Sequence, residues 1–242
     1  SVAQQRRVLL RVVPEHVVPE LMTWMSRSLR PDESIARRIP CACIAFLKLR
    51  PLENTSLSAS SIQTAAWLIG AHNSVDECLE RFTSIDKVKT VGDIVMLGGP
   101  FVENGDIELA ALEILEAAYD VAAATSCIAG LHAGEVVGAV LGTAQLAFDV
   151  FGDCVNVASR VMSTTKSGSV SEEFAERYLL AAKSASSATT AHHKILAVSE
   201  PVMRVAKGKG QIAVRDVIGW PDAPSGMRAA LGDVALTDAD TP

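Results

Sequence analysis

Residues 148–160 read F-D-V-F-G-D-C-V-N-V-A-S-R, and this segment carries the richest structural signal in the chain. The apolar run over 146–151 is typical of a short strand, and the Gly152-Asp153 step after it is typical of a turn into a helix. Asp153 is expected to cap that helix, because a carboxylate accepts hydrogen bonds from the free amides at a helix N-terminus. The segment therefore predicts a strand, a turn and a helix that runs to about Met162.

Two polar side chains share one face of this predicted helix. Asn156 and Arg160 are four residues apart, so both project from the same side, while Val155 and Ala158 mark a neighbouring apolar face. An amide beside a guanidinium suits a sugar phosphate, because Arg donates to phosphate oxygens and Asn both donates and accepts. By spacing alone, a solvated helix face explains the pair better.

Apolar periodicity predicts the remaining elements on both sides of this segment. Before it, the pattern predicts a proline-interrupted helix over 7–29, a strand over 41–49, a helix from Ser60 or Ser61 to about 82, a hairpin over 88–97, a helix over 107–122 and a strand over 127–141. After it, the pattern predicts a helix over 172–183, a loop over 184–190 and strands over 195–198, 202–205 and 211–217. This order fits an α+β sandwich, a mostly antiparallel sheet with helices on one side.

Composition limits the class of protein. The 242 residues include 22 basic and 28 acidic side chains, and 49% of them are hydrophobic. This disfavours wholesale disorder, a collagen-like repeat and a broadly basic nucleic-acid-binding protein. We expect an N-terminal helix and linker region over 1–40, one main domain over 41–220, and a disordered acidic tail over 221–242.

The chain lacks the marks of a membrane span or of a secreted protein. No run reaches the roughly 18 consecutive apolar residues that a spanning helix needs, and no signal peptide is visible. The five cysteines are odd in number and lie in apolar segments, which indicates reduced thiols in a reducing, cytosol-like compartment. Because the chain opens on Ser1, we expect a piece of a longer protein.

Three further motifs carry polar groups that chemistry could use. Asp93, at the tip of the V-K-T-V-G-D hairpin, offers hard oxygens to Mg²⁺, although an aspartate in a turn needs no function. The K-G-K-G step over 207–210 suits an approach to phosphates, and a charged turn explains it equally well. His132, in G-L-H-A-G, is interpreted as a hydrogen-bonded core histidine rather than a ligand.

In their order and spacing these segments resemble the catalytic domain of the class III nucleotidyl cyclases, the adenylyl/guanylyl cyclase family. The resemblance covers about residues 7–218 and is most specific over 149–160; its other landmarks are R-V-L-L-R-V-V-P-E-H-V-V, A-C-I-A-F, V-K-T-V-G-D, G-L-H-A-G and V-A-K-G-K-G. It implies a ferredoxin-like βαββαβ-type antiparallel sheet sandwich. It also implies conversion of ATP to 3′,5′-cyclic AMP and pyrophosphate at a dimer interface, assisted by two Mg²⁺ or Mn²⁺ ions.

The resemblance also implies how the purine is read. Lys89 and Asp149 match the pair that contacts the base. A lysine donor and an aspartate acceptor suit the N1 acceptor and the N6 amino donor of adenine. Because guanine-reading relatives usually carry Glu and Cys at these positions, ATP is favoured over GTP.

The remaining roles follow from the same matches. Asn156 matches the residue that orients the ribose, and Arg160 matches the residue that stabilises charge at the α-phosphate. Lys207, or alternatively Lys209, matches the contact to the terminal phosphates. Asp93 matches the second of two metal-binding aspartates.

One position departs from the family pattern. The first metal aspartate normally sits two residues after the phenylalanine of the opening strand, yet Phe46 is followed here by Leu47 and Lys48. An ammonium group repels Mg²⁺, and it could instead pair with Asp93. The second catalytic domain of paired transmembrane adenylyl cyclases shows this same loss.

Three hypotheses follow from this departure. The favoured one is an adenylyl cyclase half-domain whose partner domain supplies both metal aspartates. The second is a pseudo-cyclase that serves as a regulatory or dimerisation module, and the third is a weakly active homodimer. The resemblance further implies the cytoplasmic side of a cell, with a membrane-anchored parent protein as one setting, and no nucleic-acid partner.

Overall fold

The computed structural model describes residues 4, 6, 9, 13–26, 35–51, 61–142, 146–187 and 193–221. The predicted tail beyond Pro221 and the end of the predicted loop over 184–190 lie outside these ranges. The helices are α1 (Val18–Ser26), α2 (Ser61–Leu79), α3 (Ile107–Thr125), α4 (Asp153–Ser163) and α5 (Glu172–Ser187). The strands are β1 (Ala36–Leu49), β2 (Asp86–Val91), β3 (Ile94–Gly99), β4 (Cys127–Leu141), β5 (Ala147–Phe151), β6 (Gly168–Ser171), β7 (Val202–Ala206) and β8 (Gly210–Asp216).

These strands form one sheet in the order β2-β3-β1-β4-β6-β8-β7. β4 pairs with β1 along one edge, and along its other edge it pairs first with β6 and then with β5. Within the described ranges the β4–β6 pair is parallel and the other ladders are antiparallel. The predicted α+β class with a mostly antiparallel sheet is confirmed.

Helices cover both faces of the sheet, so the expectation of helices on one side is wrong. Cys43, Ala45 and Leu47 of β1 pack into a first core with α2, α3 and α5. Ala42 and Ile44 point the other way, into a second core with α4 and the N-terminal segment, residues 13–26. The continuous apolar run of β1 already carries this signal, because a strand that is buried on both faces does not alternate.

The sheet curls around the second core. β3, β1 and β4 stand between β2 and β5, yet β2 and β5 lie against each other. The N-terminal segment fills the inside of this curl, where its Val13, Val17 and Leu21 are buried. The curl therefore brings together two strands that are far apart in the order of the sheet.

The predicted N-terminal helix is interrupted at Pro14: Leu9 is helical, whereas residues 13 and 14 are not. A single 3₁₀ turn, Glu15–Val17, follows Pro14, and α1 begins at Val18. Pro14 marks a break, as expected from its missing amide hydrogen. Pro19 does not break α1, because it lies in the first turn, where the backbone amides have no partner within the helix.

Several predicted boundaries are wrong for physical reasons. β1 begins at Ala36, because the long β4 offers backbone partners to Arg37 and Arg38. Residues 195–198 make only one bridge, Val198 to Val217, rather than a strand. Residues 184–187 continue α5, and the short strand β6 was not predicted, because four residues show no apolar period. Among the described residues no helix is long and apolar enough to cross a membrane.

Helix α4 lies directly on strand β4. A Cβ built on Gly130 would lie 2.0 Å from the backbone nitrogen of Met162 and 2.4 Å from its Cα. Gly130→Ala is therefore expected to lower the free energy of unfolding by about 3 kcal/mol or more, because the obstacle is helix backbone. Urea denaturation measures this.

The matched control for Gly130→Ala is Gly70→Ala in α2. A Cβ on Gly70 meets nothing within 4 Å. The control is expected to raise the free energy of unfolding by about 0.5–1 kcal/mol, because alanine restricts the unfolded chain and favours helix. Equal urea midpoints for the two variants would contradict the close contact of α4 with β4.

Candidate active site

The curl brings Lys89 of β2 to Asp149 of β5. Lys89 Nζ lies 2.7 Å from both carboxylate oxygens of Asp149, and the Asp149 side chain is 18% exposed. The backbone amide of Val150 also donates to Asp149 Oδ1, at 2.8 Å. Two residues that are 60 positions apart in sequence thus form one donor–acceptor pair.

The turn before α4 requires glycine and places Asp153 at the first position of the helix. Gly152 has φ 140°, and a Cβ there would lie 3.0 Å from the carbonyl oxygen of Glu135. The prediction that Asp153 caps α4 is wrong: the N-cap is Gly152, and no side chain caps the helix. The Asp153 carboxylate instead accepts a hydrogen bond from Lys209 Nζ at 2.5 Å, and this bond lowers the pKa of Asp153.

The ion pair with Asp153 distinguishes the two lysines of the K-G-K-G step. Lys209 is engaged by Asp153. Lys207 is exposed and forms no ion pair within the described ranges. Of the two side chains, Lys207 is therefore the one available to an anion from outside the chain.

Arg160 lies under the turn that carries these lysines. Gly208 has φ 75°, and a Cβ built on it would lie 3.6 Å from Nη2 and 3.8 Å from Nη1 of Arg160. Nη1 is buried and has no hydrogen-bond partner among the described residues. A buried donor without a partner costs about 1–3 kcal/mol, so this guanidinium is held ready for an acceptor that the described residues do not supply.

The predicted metal position is formed by Asp93 and Lys48. Asp93 is half-buried at the β2–β3 turn, and Lys48 is exposed on β1, in register with Ile94. The described part of the chain contains no ion pair between Lys48 and Asp93 and no group of three or more His, Cys, Asp or Glu that could hold a metal. One carboxylate near an ammonium does not fit a divalent cation.

His132 is a core residue, as predicted. Its Nδ1 lies 2.7 Å from Ser171 Oγ, and burial lowers its pKa. The Ser171 hydroxyl also accepts the backbone amide of Phe174, at 3.2 Å. The histidine therefore ties β4 to the start of α5.

The structure thus gathers the predicted residues into two groups. Lys89 and Asp149 form one group, and Arg160 with the K-G-K-G turn forms the other, with Asn156 exposed on the same helix as Arg160. Sequence reasoning missed the Asp153–Lys209 pair, because nothing local links two charges that are 56 positions apart.

Comparisons with known proteins show the family to which the chain belongs. The family model described as adenylate and guanylate cyclase catalytic domain matches residues 35–212. The germination-specific adenylate cyclase of Dictyostelium discoideum is 33% identical over 151 residues, which are 57% of this chain and 18% of that protein. The receptor-type guanylate cyclase gcy-8 of Caenorhabditis elegans is 29% identical over 182 residues, which are 69% of this chain and 15% of that protein.

A solved structure shares the fold. The adenylyl cyclase CyaB from P. aeruginosa has a TM-score of 0.58 at 16% identity, over 76% of this chain and 96% of that chain. The chain spans less than a fifth of the length of the two relatives above. Since the family model covers most of the described sheet and both groups of polar residues up to the K-G-K-G turn, the chain belongs to the adenylate and guanylate cyclase catalytic domain family.

Proposed function

We propose that this chain is the catalytic half-domain of an adenylyl cyclase, which forms 3′,5′-cyclic AMP and pyrophosphate from ATP together with a partner domain. The observation that carries the proposal is the Lys89–Asp149 pair, a donor beside an acceptor at 2.7 Å. Adenine presents the complementary acceptor at N1 and donor at N6. Lys89 can therefore donate to N1, and Asp149 can accept from the N6 amino group.

The other predicted site residues contact the ribose and the phosphates. In this reaction the ribose 3′-hydroxyl attacks the α-phosphorus, the bond to the bridging oxygen breaks, and pyrophosphate leaves. Arg160 stabilises the charge that develops on the α-phosphate oxygens, and its unpartnered Nη1 is a ready donor for them. Asn156 orients the ribose, and Lys207 contacts the terminal phosphates.

The divalent metal ions belong to the partner in this proposal. Asp93 beside Lys48 does not fit Mg²⁺ or Mn²⁺, so we propose that the partner domain carries both metal aspartates at the shared site. A cytoplasmic location, with a membrane-anchored parent protein as one setting, is part of the same proposal, and one relative is named a receptor-type cyclase.

A pseudo-cyclase is the second candidate, and Lys48 is the observation that favours it. A chain that has lost a metal ligand can serve as a regulatory or dimerisation module without turnover. A mixture with a domain that carries both aspartates separates the two functions, because only the half-domain gains activity. Continued inactivity with every such domain favours the pseudo-cyclase.

The purine preference is tested by exchanging the pair. Lys89→Glu with Asp149→Cys, assayed with the partner domain and Mn²⁺, is expected to shift the ratio of cyclic GMP to cyclic AMP formation by about 10- to 100-fold, because a good two-point base contact is worth about 1–3 kcal/mol. Chromatography of the products measures the ratio.

The matched control for the exchange is Lys87→Glu. It makes the same charge change as Lys89→Glu two residues away, on the opposite face of β2, where Lys87 pairs with Asp76. This control is expected to keep the wild-type ratio. A wild-type chain that forms cyclic GMP in preference would show that the proposed substrate is wrong.

A further inference from the structure

Strands β2 and β5 meet at a seam that no described ladder of backbone hydrogen bonds closes. The two strands lie against each other, yet β2 pairs with β3 and β5 pairs with β4. Side chains therefore hold the seam together. One bridge is the Lys89–Asp149 pair.

His16 makes a second bridge across the same seam, from inside the curl. Its ring lies edge-on to Phe148 of β5, at 5.4 Å between centroids, and its Nδ1 lies 3.6 Å from Asp86 Oδ2 of β2. Phe101 flanks the ring at 5.8 Å, and the His16 side chain is only 16% exposed. One residue of the N-terminal segment thus touches both strands of the seam.

The two bridges are close together along both strands. In β5, Phe148 directly precedes Asp149, so the two bridges reach neighbouring residues of this strand from its two faces. In β2, the register with β3 shifts between Lys87 and Lys89, so Asp86 pairs with Gly98 while Lys89 pairs with Met96. This bulge turns Asp86 and Lys89 to the same face, whereas a regular strand would place residues three apart on opposite faces.

We propose that His16 is a positioning residue that holds β2 and β5 at the separation at which Lys89 reaches both oxygens of Asp149. The inference rests on the proposed function, because it gives the N-terminal segment control over purine binding. Whatever moves that segment would open or close the seam, and the base-reading pair would respond. His16 itself contacts no substrate in this view.

The His16 bridge acts through packing and a polar contact rather than as an ion pair at neutral pH. Burial, with a smaller contribution from Arg37 of β1, lowers the pKa of His16 to about 4. Burial and the nearby Glu15 raise the pKa of Asp86 to about 6. Above pH 6 an uncharged ring therefore faces an ionised Asp86.

The experiment compares His16→Ala with Val13→Ala. Val13 lies in the same N-terminal segment, is 4% exposed and packs in the second core, so its truncation loosens the segment without removing the bridge. Hydrogen exchange is measured at the Val150 amide, which donates to Asp149, and at the amides of β2. Each exchange rate is first corrected for the variant's change in the free energy of global unfolding. After this correction, His16→Ala is expected to raise the exchange rates of these amides at least tenfold. Val13→Ala is expected to leave the same rates unchanged.

The second measurement is nucleotide preference. His16→Ala is expected to reduce the ratio of ATP to GTP affinity several-fold toward one, and Val13→Ala is expected to keep the wild-type ratio. If His16→Ala does not fold, His16→Asn removes the ring contact with Phe148 and takes its place. Equal exchange in the histidine and valine variants would overturn the inference.

The two proposals fail separately. A wild-type chain without preference for ATP refutes the proposed adenylyl cyclase function. The exchange comparison still decides whether His16 holds the seam, because it needs no nucleotide.

Discussion

Arg160→Ala is expected to lower cyclic AMP formation by the assembled pair on the order of 10³-fold, while the free energy of unfolding stays the same or rises. The loss of rate follows from removing a cation that faces transition-state charge. The free energy of unfolding is expected not to fall because Nη1 is buried without a described partner. Removing an unsatisfied donor relieves its desolvation cost. A residue kept for its ligand, rather than for the fold, shows this combination.

Initial rates with Mn²⁺ and ATP, together with urea denaturation of the same preparations, measure both effects. The chain alone is expected to give near-background cyclic AMP, so the rate refers to the mixture with the partner domain. Arg38→Ala is the control, because it removes a guanidinium that is 73% exposed and already paired with Glu135. A loss of stability in parallel with activity would assign Arg160 to the fold, and retained activity would contradict its role.

The helix that carries Asn156 and Arg160 is the part of the site that the sequence predicts best. Its strand, glycine turn and apolar face are local signals within 13 residues, and the structure places α4 one residue beyond the predicted end. The contact of Gly130 with Met162 is different. It depends on how closely two backbones approach, and a glycine in a strand does not reveal its neighbour.

The Lys89–Asp149 pair was predicted from the resemblance, and local pattern could not have supplied it. The pair depends on the curl of the sheet, and curvature arises from packing around the N-terminal segment rather than from any one strand. The His16 bridge depends on the same curl and was missed for the same reason. Both bridges also need the bulge at Val88, which changes the face of Lys89 without leaving a mark in the alternation of β2.

Lys48→Asp is expected to create a divalent-cation site in a chain whose described residues hold none. Lys48 pairs with Ile94, the residue after Asp93, and the amide of Leu49 donates to the carbonyl oxygen of Asp93 at 2.8 Å. A carboxylate at position 48 would therefore lie beside the turn that carries Asp93. Two carboxylates give the hard oxygen ligands that Mg²⁺ and Mn²⁺ prefer.

The size of the effect follows from charge. The substitution replaces a repelling ammonium by an attracting carboxylate, and one unit charge at 4 Å is worth about 4 kcal/mol near a protein surface. After the cost of holding two carboxylates close together, we expect Mn²⁺ to bind at least about tenfold more tightly than in the wild-type chain. Titration calorimetry or the electron spin resonance of Mn²⁺ measures the affinity without any nucleotide.

Two controls separate the ligand from the charge. Lys48→Asn removes the ammonium without adding a carboxylate, so it should bind Mn²⁺ more weakly than Lys48→Asp. Adding Asp93→Asn to Lys48→Asp should return the affinity toward the wild-type value, because the site needs both oxygens. If Lys48→Asp leaves the affinity unchanged, position 48 is not the place of the missing aspartate, and the loss of half a metal site no longer explains why this chain would need a partner.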